Sequence, residues 1–256
     1  MLILQYLKPN WTAPSNIRAY TTTRHDGISE GVCASNNLAL HVGDDPSHVQ
    51  HNRERLIEKM SLPQAPEWLQ QTHSNKCIQV DTDDSREGDA AYSRTNGRVL
   101  TIMTADCLPI LLCNHHGTEI AAVHAGWRGL VNGVIENTIA HFTDKRANLI
   151  AWIGPAICGN CYEVGEEVRL QAIANDALAR TQTAFRKSPN FSEKQPKWLA
   201  NLPYLAELCL KKSGVQNIYQ SQECTYELSD RYYSYRKQVQ TGRIASLIWI
   251  QTDPTP

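Results

Sequence analysis

Two apolar runs, at residues 108–113 and 120–123, dominate the hydrophobic pattern in the middle of the chain. A polar stretch at residues 114–118, with two histidines and a glycine, separates them. Short apolar runs on either side of a turn are typical of two paired, buried strands. Cys107 precedes the first run and His124 follows the second, so a hairpin would bring both side chains, with Asp106, to one sheet edge. We therefore expect a functional site there.

The rest of the pattern predicts strands and helices in irregular alternation. Asp45 and Pro46 form a typical helix start, and apolar residues follow at positions 49, 56, 57 and 60 with helical spacing. Further helices are predicted at residues 130–142 and 202–212 and within 162–187, and strands at 17–23, 77–80, 99–104, 148–153, 218–220 and 244–250. The acidic run 81–89 is predicted to be a solvated loop, and residues 187–197 a mobile excursion.

Hairpin-length turns between several of these strands favour a mixed sheet flanked by helices over an all-parallel sheet. No internal repeat or low-complexity linker divides the pattern. The sequence therefore predicts one α/β domain that spans residues 1–256.

Charge and cysteine content narrow the class of protein. The 256 residues carry 25 Lys and Arg against 26 Asp and Glu, a net charge of −1, with no polybasic run. This balance offers no electrostatic reason to bind nucleic acid or a membrane surface. The chain shows neither a typical signal peptide nor an apolar stretch long enough to span a bilayer. Eight cysteines without a signal indicate reduced thiols, so we expect a cytoplasmic protein; the oligomeric state is not predicted.

The side chains at the hairpin edge are compatible with two kinds of chemistry. Cys107 and His124 are ligand types that zinc prefers, and a catalytic zinc takes three protein ligands and leaves a fourth position for water. His73, in a polar loop before a strand, is the best third candidate. Alternatively, Cys107 is a thiol nucleophile activated by His124, with backbone amides near Gly126 to bind an anion. The residues alone do not decide between the two.

Other polar residues have weaker signals. Arg24, Arg53 and Arg128 are candidates for binding an anionic substrate, because the guanidinium fork suits phosphate and carboxylate. Cys158 and Cys161 form a CxxC pair, but no aromatic residue and helix start accompany it, so ordinary structural thiols are favoured over a thioredoxin-like function. The histidines at positions 115 and 116 lie in the hairpin turn, where solvated side chains are expected.

Several motifs together resemble one known family. They are QTHSNK, TADCLPILL, VHAGWRGLVNGVIE, IGPAICGNCYEVGEEV and the C-terminal CTYE, YYSYRK and TGRIASLIWI, together with TTTRHDGISEG near the start. In this order they resemble the laccase-domain family, which is also called the purine nucleoside phosphorylase or peptidoglycan-editing-factor family. The resemblance extends from about Arg18 to Ile250.

This resemblance implies an α/β sandwich in which His73, Cys107 and His124 bind zinc or, alternatively, copper. It also implies phosphorolysis of adenosine, inosine and methylthioadenosine, and adenosine deamination. Further implied activities are removal of L-serine from UDP-N-acetylmuramyl-L-serine and copper-dependent oxidation of polyphenols. A related fold in bacterial deamidase toxins, which uses a Cys–His pair as nucleophile, keeps the thiol alternative open.

A zinc-dependent purine nucleoside enzyme is the function we predict. Multi-copper oxidation is disfavoured, because nine histidines without a single HxH pair are too few for several coppers. A non-catalytic metal-binding protein is the alternative outside the enzymes. We expect Arg24, Asn37, Arg53 and Arg128 to bind the substrate, which would be a purine nucleoside with phosphate or a UDP-muramyl precursor. Asp106 is expected to be catalytic, either as a proton shuttle or by orienting a ligand imidazole.

Overall fold

A computed structural model describes residues 6–175 and 179–251. Within these residues the strands are β1 (Ile17–Thr21), β2 (Glu67–Trp68), β3 (Cys77–Gln79), β4 (Ala90–Ser93), β5 (Leu100–Thr104), β6 (Leu108–Asn114), β7 (Ile120–Ala125), β8 (Leu149–Ile153), β9 (Glu163–Gly165), β10 (Phe185–Lys187), β11 (Lys197–Ala200), β12 (Asn217–Gln220) and β13 (Ile244–Ile250). The hairpin predicted from the two apolar runs is confirmed as β6 and β7, which pair antiparallel.

The described residues form five α-helices, two of which begin with a side-chain cap. They are α1 (Pro46–Met60), α2 (Trp127–Val131), α3 (Val134–Ala140), α4 (Glu166–Asn175) and α5 (Leu202–Lys212). The carboxylate of Asp45 accepts a hydrogen bond from the backbone N–H of Ser47 at 2.8 Å and thereby caps α1. The side chain of Asn201 caps α5 in the same way by accepting from Tyr204. None of the helices in the described residues is long and apolar enough to span a membrane.

The strands form three sheets. The largest has the order β12-β8-β6-β7-β4-β3, a second has the order β1-β13-β5-β2, and β10-β11-β9 form a small third sheet. Parallel pairs (β12 with β8, β3 with β4, β2 with β5) occur beside antiparallel ones. The prediction of a mixed sheet is therefore confirmed.

The two larger sheets pack face to face, and helices cover their outer faces. On β6, Ile110 and Leu112 point into a core shared with helices α2, α3 and α5, whereas Leu111 points into the core between the sheets. On β13, Ile248 joins that inner core, and Leu247 contacts the outer cluster that includes Leu56 of α1. The result is a single α/β/β/α sandwich. Because both faces of β6 and β7 are buried, these strands are continuous apolar runs in the sequence.

The helix predicted at residues 130–142 is interrupted. Gly133 has a φ of 82°, a left-handed conformation that ends α2 and allows α3 to begin at Val134. Leu130, Val134 and Ile139 nevertheless face the same core. The apolar period therefore predicted the buried face correctly. The prediction of one continuous helix was wrong.

The segment 162–187 contains more strand than predicted. β9 and β10 lie at its two ends and both pair with β11, so only the part between them is helical. Residues 176–178 lie outside the described residues. Strand pairing with a partner that is distant in sequence overrode the helical pattern at these ends. The mobility predicted for residues 187–197 stays a prediction.

Candidate metal centre

The hairpin places Cys107 and His124 together at one end of the largest sheet. In β6 and β7, Pro109 lies opposite His124 and Leu108 lies opposite Ala125. Cys107 comes directly before β6, and its Sγ atom therefore lies beside the end of β7. The pattern of the two apolar runs predicted this arrangement.

His73 reaches the same place from a separate loop between β2 and β3. Its backbone has a φ of 60°, which turns the chain sharply. The loop is held by the carboxylate of Asp89, which accepts hydrogen bonds from the backbone N–H groups of Thr72, His73 and Ser74 at 3.2, 3.0 and 2.6 Å. Three backbone donors on one buried carboxylate fix the loop and hence the position of the His73 ring.

The three side chains form a compact ligand set. The Cys107 Sγ atom lies 3.9 Å from His73 Nε2, and the two imidazole rings lie edge to face with centroids 4.8 Å apart. One donor atom from each of His73, Cys107 and His124 falls within 4.8 Å of the others. Typical zinc bond lengths place a sulfur and a nitrogen ligand roughly 3.5 Å apart. The site therefore fits a zinc ion after only small movements, with three protein ligands.

Asp89 also orients the His124 ring. Its Oδ1 atom lies 2.7 Å from His124 Nδ1, and both side chains are almost completely buried. With Nδ1 engaged, Nε2 is the nitrogen left to face the site, which is the usual arrangement of a metal-ligating histidine and its supporting carboxylate. The prediction that residues 81–89 form a solvated loop is wrong for Asp89. The sequence did contain a signal for the burial of Asp89, because this residue directly precedes Ala90, Ala91 and Tyr92 of the buried strand β4.

The pKa values of this group are coupled. Burial by itself would raise the pKa of the Cys107 thiol, but attraction to His124 and hydrogen bonds from both histidines outweigh it and lower this pKa. Burial by itself would lower the pKa of His124, but Cys107 and Asp89 outweigh burial and raise it. Each partner favours the charged form of the other. A thiolate is the form of cysteine that binds metal and also the form that attacks an electrophile.

Gly126 has no side chain, and the metal-ligand side chains occupy the space that a larger residue would fill. A Cβ atom added to it would lie 2.9 Å from His73 Cδ2 and 3.1 Å from Cys107 Sγ. Any larger residue at this position would therefore displace two of the three ligands. This close approach explains why a glycine follows the end of β7.

The ligand set opens into a cavity of about 410 Å³ between the ends of the two packed sheets. Its polar lining comes from four parts of the chain that are distant in sequence: His41, Gln71, Arg128, Tyr235 and Arg243. Sequence reasoning did not assign a role to His41, Gln71, Tyr235 or Arg243, although the last three lie within the motifs that resemble the family. A larger cavity of about 540 Å³, lined in part by Leu130 and Leu205, contains none of the three ligands.

Three of the predicted substrate-binding residues lie elsewhere. The guanidinium of Arg24 donates to the carbonyls of Ala34 and Ser229, and that of Arg53 donates to the carbonyl of Leu38. Asn37 is fully buried and exchanges hydrogen bonds with neighbouring loops. None of these side chains lines the 410 Å³ cavity, and their role in substrate binding stays a prediction.

Asp106 is held on the side away from the imidazoles. Its Oδ1 accepts from the Thr225 hydroxyl at 2.6 Å, and its Oδ2 accepts from the Ser234 hydroxyl at 3.0 Å and from the Arg236 N–H at 2.6 Å. The carboxylate that orients a ligand imidazole is therefore that of Asp89 and not that of Asp106. The proton-shuttle prediction for Asp106 stays a prediction.

Arg128 lines the cavity, and its guanidinium lies over the Trp127 ring at 4.5 Å from the ring centroid; its role in substrate binding stays a prediction. Helix α2, in contrast, is a single short turn of 5 residues. Such a turn has almost no macrodipole, so it contributes little to binding an anion. Arginine side chains are the stronger anion-binding groups at this site.

Comparison with known proteins identifies relatives along nearly the whole chain. The family described as multi-copper polyphenol oxidoreductase laccase matches residues 18–251. The purine nucleoside phosphorylase YfiH of Escherichia coli K12 is 43% identical over 244 residues, which is 94% of this chain and 97% of that protein. The purine nucleoside phosphorylase of Haemophilus influenzae is 43% identical over 249 residues, which is 97% of this chain and 100% of that protein.

Solved structures show the same fold. A Neisseria meningitidis protein of the DUF152 family superposes with a TM-score of 0.89 at 38% identity, over 96% of this chain and 99% of that one. YlmD of Geobacillus stearothermophilus superposes with a TM-score of 0.83 at 27% identity, over 98% of this chain and 99% of that one. The similarity therefore includes every segment that contributes to the site.

Proposed function

The chain belongs to the multi-copper polyphenol oxidoreductase laccase family, and from this membership and the site geometry we propose that it is a zinc-dependent enzyme that cleaves purine nucleosides with phosphate. Adenosine, inosine and methylthioadenosine are the proposed substrates. The observation that carries the proposal is that a group of three potential metal ligands opens into a cavity that Arg128 and Arg243 also line. The names of the relatives, purine nucleoside phosphorylase, support the choice of substrate.

Zinc suits the ligand set better than several coppers. Within the described residues, only two groups of side chains could hold a metal ion, and only one of them contains histidine. Multi-copper oxidation requires more histidine ligands than this. His73, Cys107 and His124 would hold one zinc ion. A bound zinc supplies Lewis-acid stabilisation of developing negative charge.

The cavity side chains have defined tasks in this proposal. Phosphorolysis forms a bond between a phosphate oxygen and C1′ of the ribose and breaks the C1′–N9 bond, whose electron pair leaves with the purine. The purine takes up the proton that the attacking hydrogen phosphate loses, and ribose 1-phosphate is the second product. Arg128 and Arg243 would bind and orient the phosphate through paired N–H donors. Burial lowers the pKa of His41 in the same cavity, which keeps its imidazole neutral and available to accept a hydrogen bond.

Adenosine deamination is the second candidate activity at the same centre. The observation that favours it is the number of protein ligands, since three ligands leave a fourth position for water on a catalytic zinc. In this reaction water adds its oxygen to C6 of the purine, the C6–N bond breaks, and ammonia leaves. The same arrangement would also suit cleavage of an amide in a UDP-muramyl precursor.

Nucleoside turnover with and without phosphate tests the proposal. We expect zinc-loaded protein to release hypoxanthine from inosine, and adenine from adenosine, only when phosphate is present. Ammonia release from adenosine would support deamination. Hydrolysis of UDP-N-acetylmuramyl-L-serine without any reaction of nucleosides would overturn the proposal in favour of cell-wall editing, and inertness toward all substrates would favour a non-catalytic metal-binding protein.

A matched pair of histidine variants connects any turnover to the metal centre. His124→Ala removes a buried ligand, whereas His116→Ala changes a hairpin-turn side chain that is 70% exposed. We expect turnover and the zinc ion of this centre to be lost in the first variant and kept in the second. Equal turnover in both variants would show that the reaction occurs elsewhere.

A further inference from the structure

A second group of metal-ligating side chains lies outside the site described above. It consists of Cys158, Cys161, Cys224 and Glu227, whose donor atoms all lie within 4.8 Å of one another. The CxxC pair comes from the loop between β8 and β9, and the other two residues come from the loop after β12. A parallel bridge between Ala156 and Cys224 joins the two loops.

The distances in this group match a thiolate metal site. The Sγ atoms of Cys158 and Cys161 are 3.6 Å apart, and Oε1 of Glu227 lies 3.8 and 3.5 Å from them. Two sulfur ligands on one tetrahedral zinc are separated by roughly 3.8 Å. These three groups therefore stand close to the spacing of a zinc coordination shell, and the Cys224 Sγ atom lies within 4.8 Å of each of them.

Backbone donors hold the sulfur atoms in place. The N–H of Cys158 donates to Cys224 Sγ at 3.3 Å, and the N–H of Asn160 donates to the sulfur of Cys158. The N–H of Cys161 closes the turn by donating to the carbonyl of Cys158 at 3.0 Å. Such N–H···S bonds orient thiolate ligands and support their negative charge.

A dithiol redox pair is the less suitable interpretation of the same residues. Reactive CxxC pairs have a cysteine with a lowered pKa at a helix N-terminus. Here the residues that follow Cys161 form β9 before α4 begins, so neither cysteine lies at a helix N-terminus. A redox pair would also leave Cys224 and Glu227 without a function.

We propose that Cys158, Cys161, Cys224 and Glu227 bind a second zinc ion with a structural role. Four protein ligands, three of them thiolates, form the closed shell that is typical of structural zinc sites. The ion would join the loop after β8 to the loop after β12. The second of these loops also carries Thr225, whose hydroxyl holds the Asp106 carboxylate beside Cys107. The proposal does not depend on the activity of the first centre.

Zinc stoichiometry of the full chain tests this inference. We expect wild-type protein, reduced and reconstituted with Zn²⁺, to bind about two equivalents, and both Cys161→Ser and Cys107→Ser to bind about one. Cys209→Ser, which alters a half-buried thiol in neither ligand group, should keep two. An unchanged zinc content in Cys161→Ser would overturn the proposal. One equivalent in wild type, with a Cys158–Cys161 disulfide found by peptide mapping, would also overturn it.

A conservative variant and a spectroscopic probe keep the inference testable if the cysteine variant misfolds. Glu227 is exposed, so Glu227→Gln should leave the fold intact and weaken zinc binding at this site alone. With Co²⁺ in place of zinc, Cys107→Ser should retain strong sulfur-to-metal charge-transfer absorption from three thiolates, whereas Cys161→Ser should lose most of it. Equal spectra for these two variants would contradict the assignment. Because Cys107→Ser isolates the second site, failure of the proposed nucleoside chemistry would not affect the outcome.

Discussion

The two ligand groups differ in composition and in what surrounds them. His73, Cys107 and His124 provide two nitrogens and one sulfur beside a 410 Å³ cavity with arginines in its lining. Cys158, Cys161, Cys224 and Glu227 provide three sulfurs and a carboxylate between two loops. Three ligands with an open position indicate catalysis, and four ligands without one indicate a structural role. Ligand number and ligand type therefore distinguish the two sites better than the presence of cysteine.

The largest expected effects come from two single variants, each of which removes one ligand from one of the two groups. Cys107→Ser should lower kcat/KM for inosine by at least about 100-fold, because the first centre loses its metal. Cys161→Ser should instead lower Tm in thermal unfolding, because a structural ion stabilises the folded state. Steady-state kinetics and calorimetry on both variants check the contrast. If Cys107→Ser kept its full metal content but lost turnover, the expectation for this variant would be wrong, and Cys107 would be identified as a nucleophile.

The supporting carboxylate should matter only at the first centre. Asp89→Asn removes the charge that orients His124 and replaces an acceptor of five hydrogen bonds, so zinc affinity should fall about 10–100-fold. Competition with a chromogenic chelator measures this affinity for each site. Asp84→Asn, an exposed acidic residue of the same run, is the matched control and should leave the affinity unchanged. Equal affinities in the two variants would contradict the orienting role of Asp89.

Gly126→Ala tests whether the space at the first centre is as restricted as the structure indicates. The new methyl group would press on His73 and Cys107, and a displacement of a catalytic group by about 1 Å costs on the order of 100-fold in rate. Because the ligands can move together, we expect a smaller effect, about 10-fold in kcat. The second site should keep its zinc. Wild-type kcat in this variant would mean that the ligands have more freedom than their spacing suggests.

Two arginine variants compare a residue that lines the cavity with one that bonds to loop backbone. Arg128→Ala should raise KM for phosphate roughly 10-fold, because it removes one cationic contact to the anion. Arg24→Ala should leave that KM unchanged but lower the free energy of unfolding, because its guanidinium bonds two backbone carbonyls. Phosphate dependence of inosine cleavage and urea unfolding measure the two quantities. The reverse pattern would restore the sequence-based prediction for Arg24.

Asp106 lies between the two groups and should give the smallest change in activity. Its carboxylate accepts three protein hydrogen bonds, so Asp106→Asn should destabilise the fold by about 1–3 kcal/mol and leave kcat nearly unchanged. Urea unfolding and kcat for inosine check this expectation. A large loss of kcat, with an altered pH profile, would support the proton shuttle instead.

Family, fold class and the principal hairpin could be predicted from the sequence alone. The apolar runs that became β6 and β7 were long and bounded by clear turn residues, and the Asp45–Pro46 helix start was confirmed. The motifs predicted the family correctly. His73 was expected from the resemblance to join Cys107 and His124, and its loop does reach them. These features depend on local patterns, which a sequence records directly.

The supporting residues could not be predicted in the same way. Asp89 looked like one more residue of an acidic run, and only the pairing of β4 with β7 places it beside His124. Arg24, Asn37 and Arg53 looked like binding residues, but their side chains bond to loop backbone and do not line the cavity. Whether a polar side chain faces a cavity or a carbonyl depends on contacts between distant segments.

The sequence by itself determined which strands are buried, where α1 and α5 begin and which three side chains come together as candidate metal ligands. Only the tertiary structure decided that Asp89 supports this set, that Arg243 and His41 line its cavity, and that Cys224 and Glu227 stand beside the CxxC pair. The physical reason is the range of the interactions. Periodicity and capping act within a few residues along the chain, whereas a ligand group or a cavity is assembled by the packing of sheets and loops from distant segments.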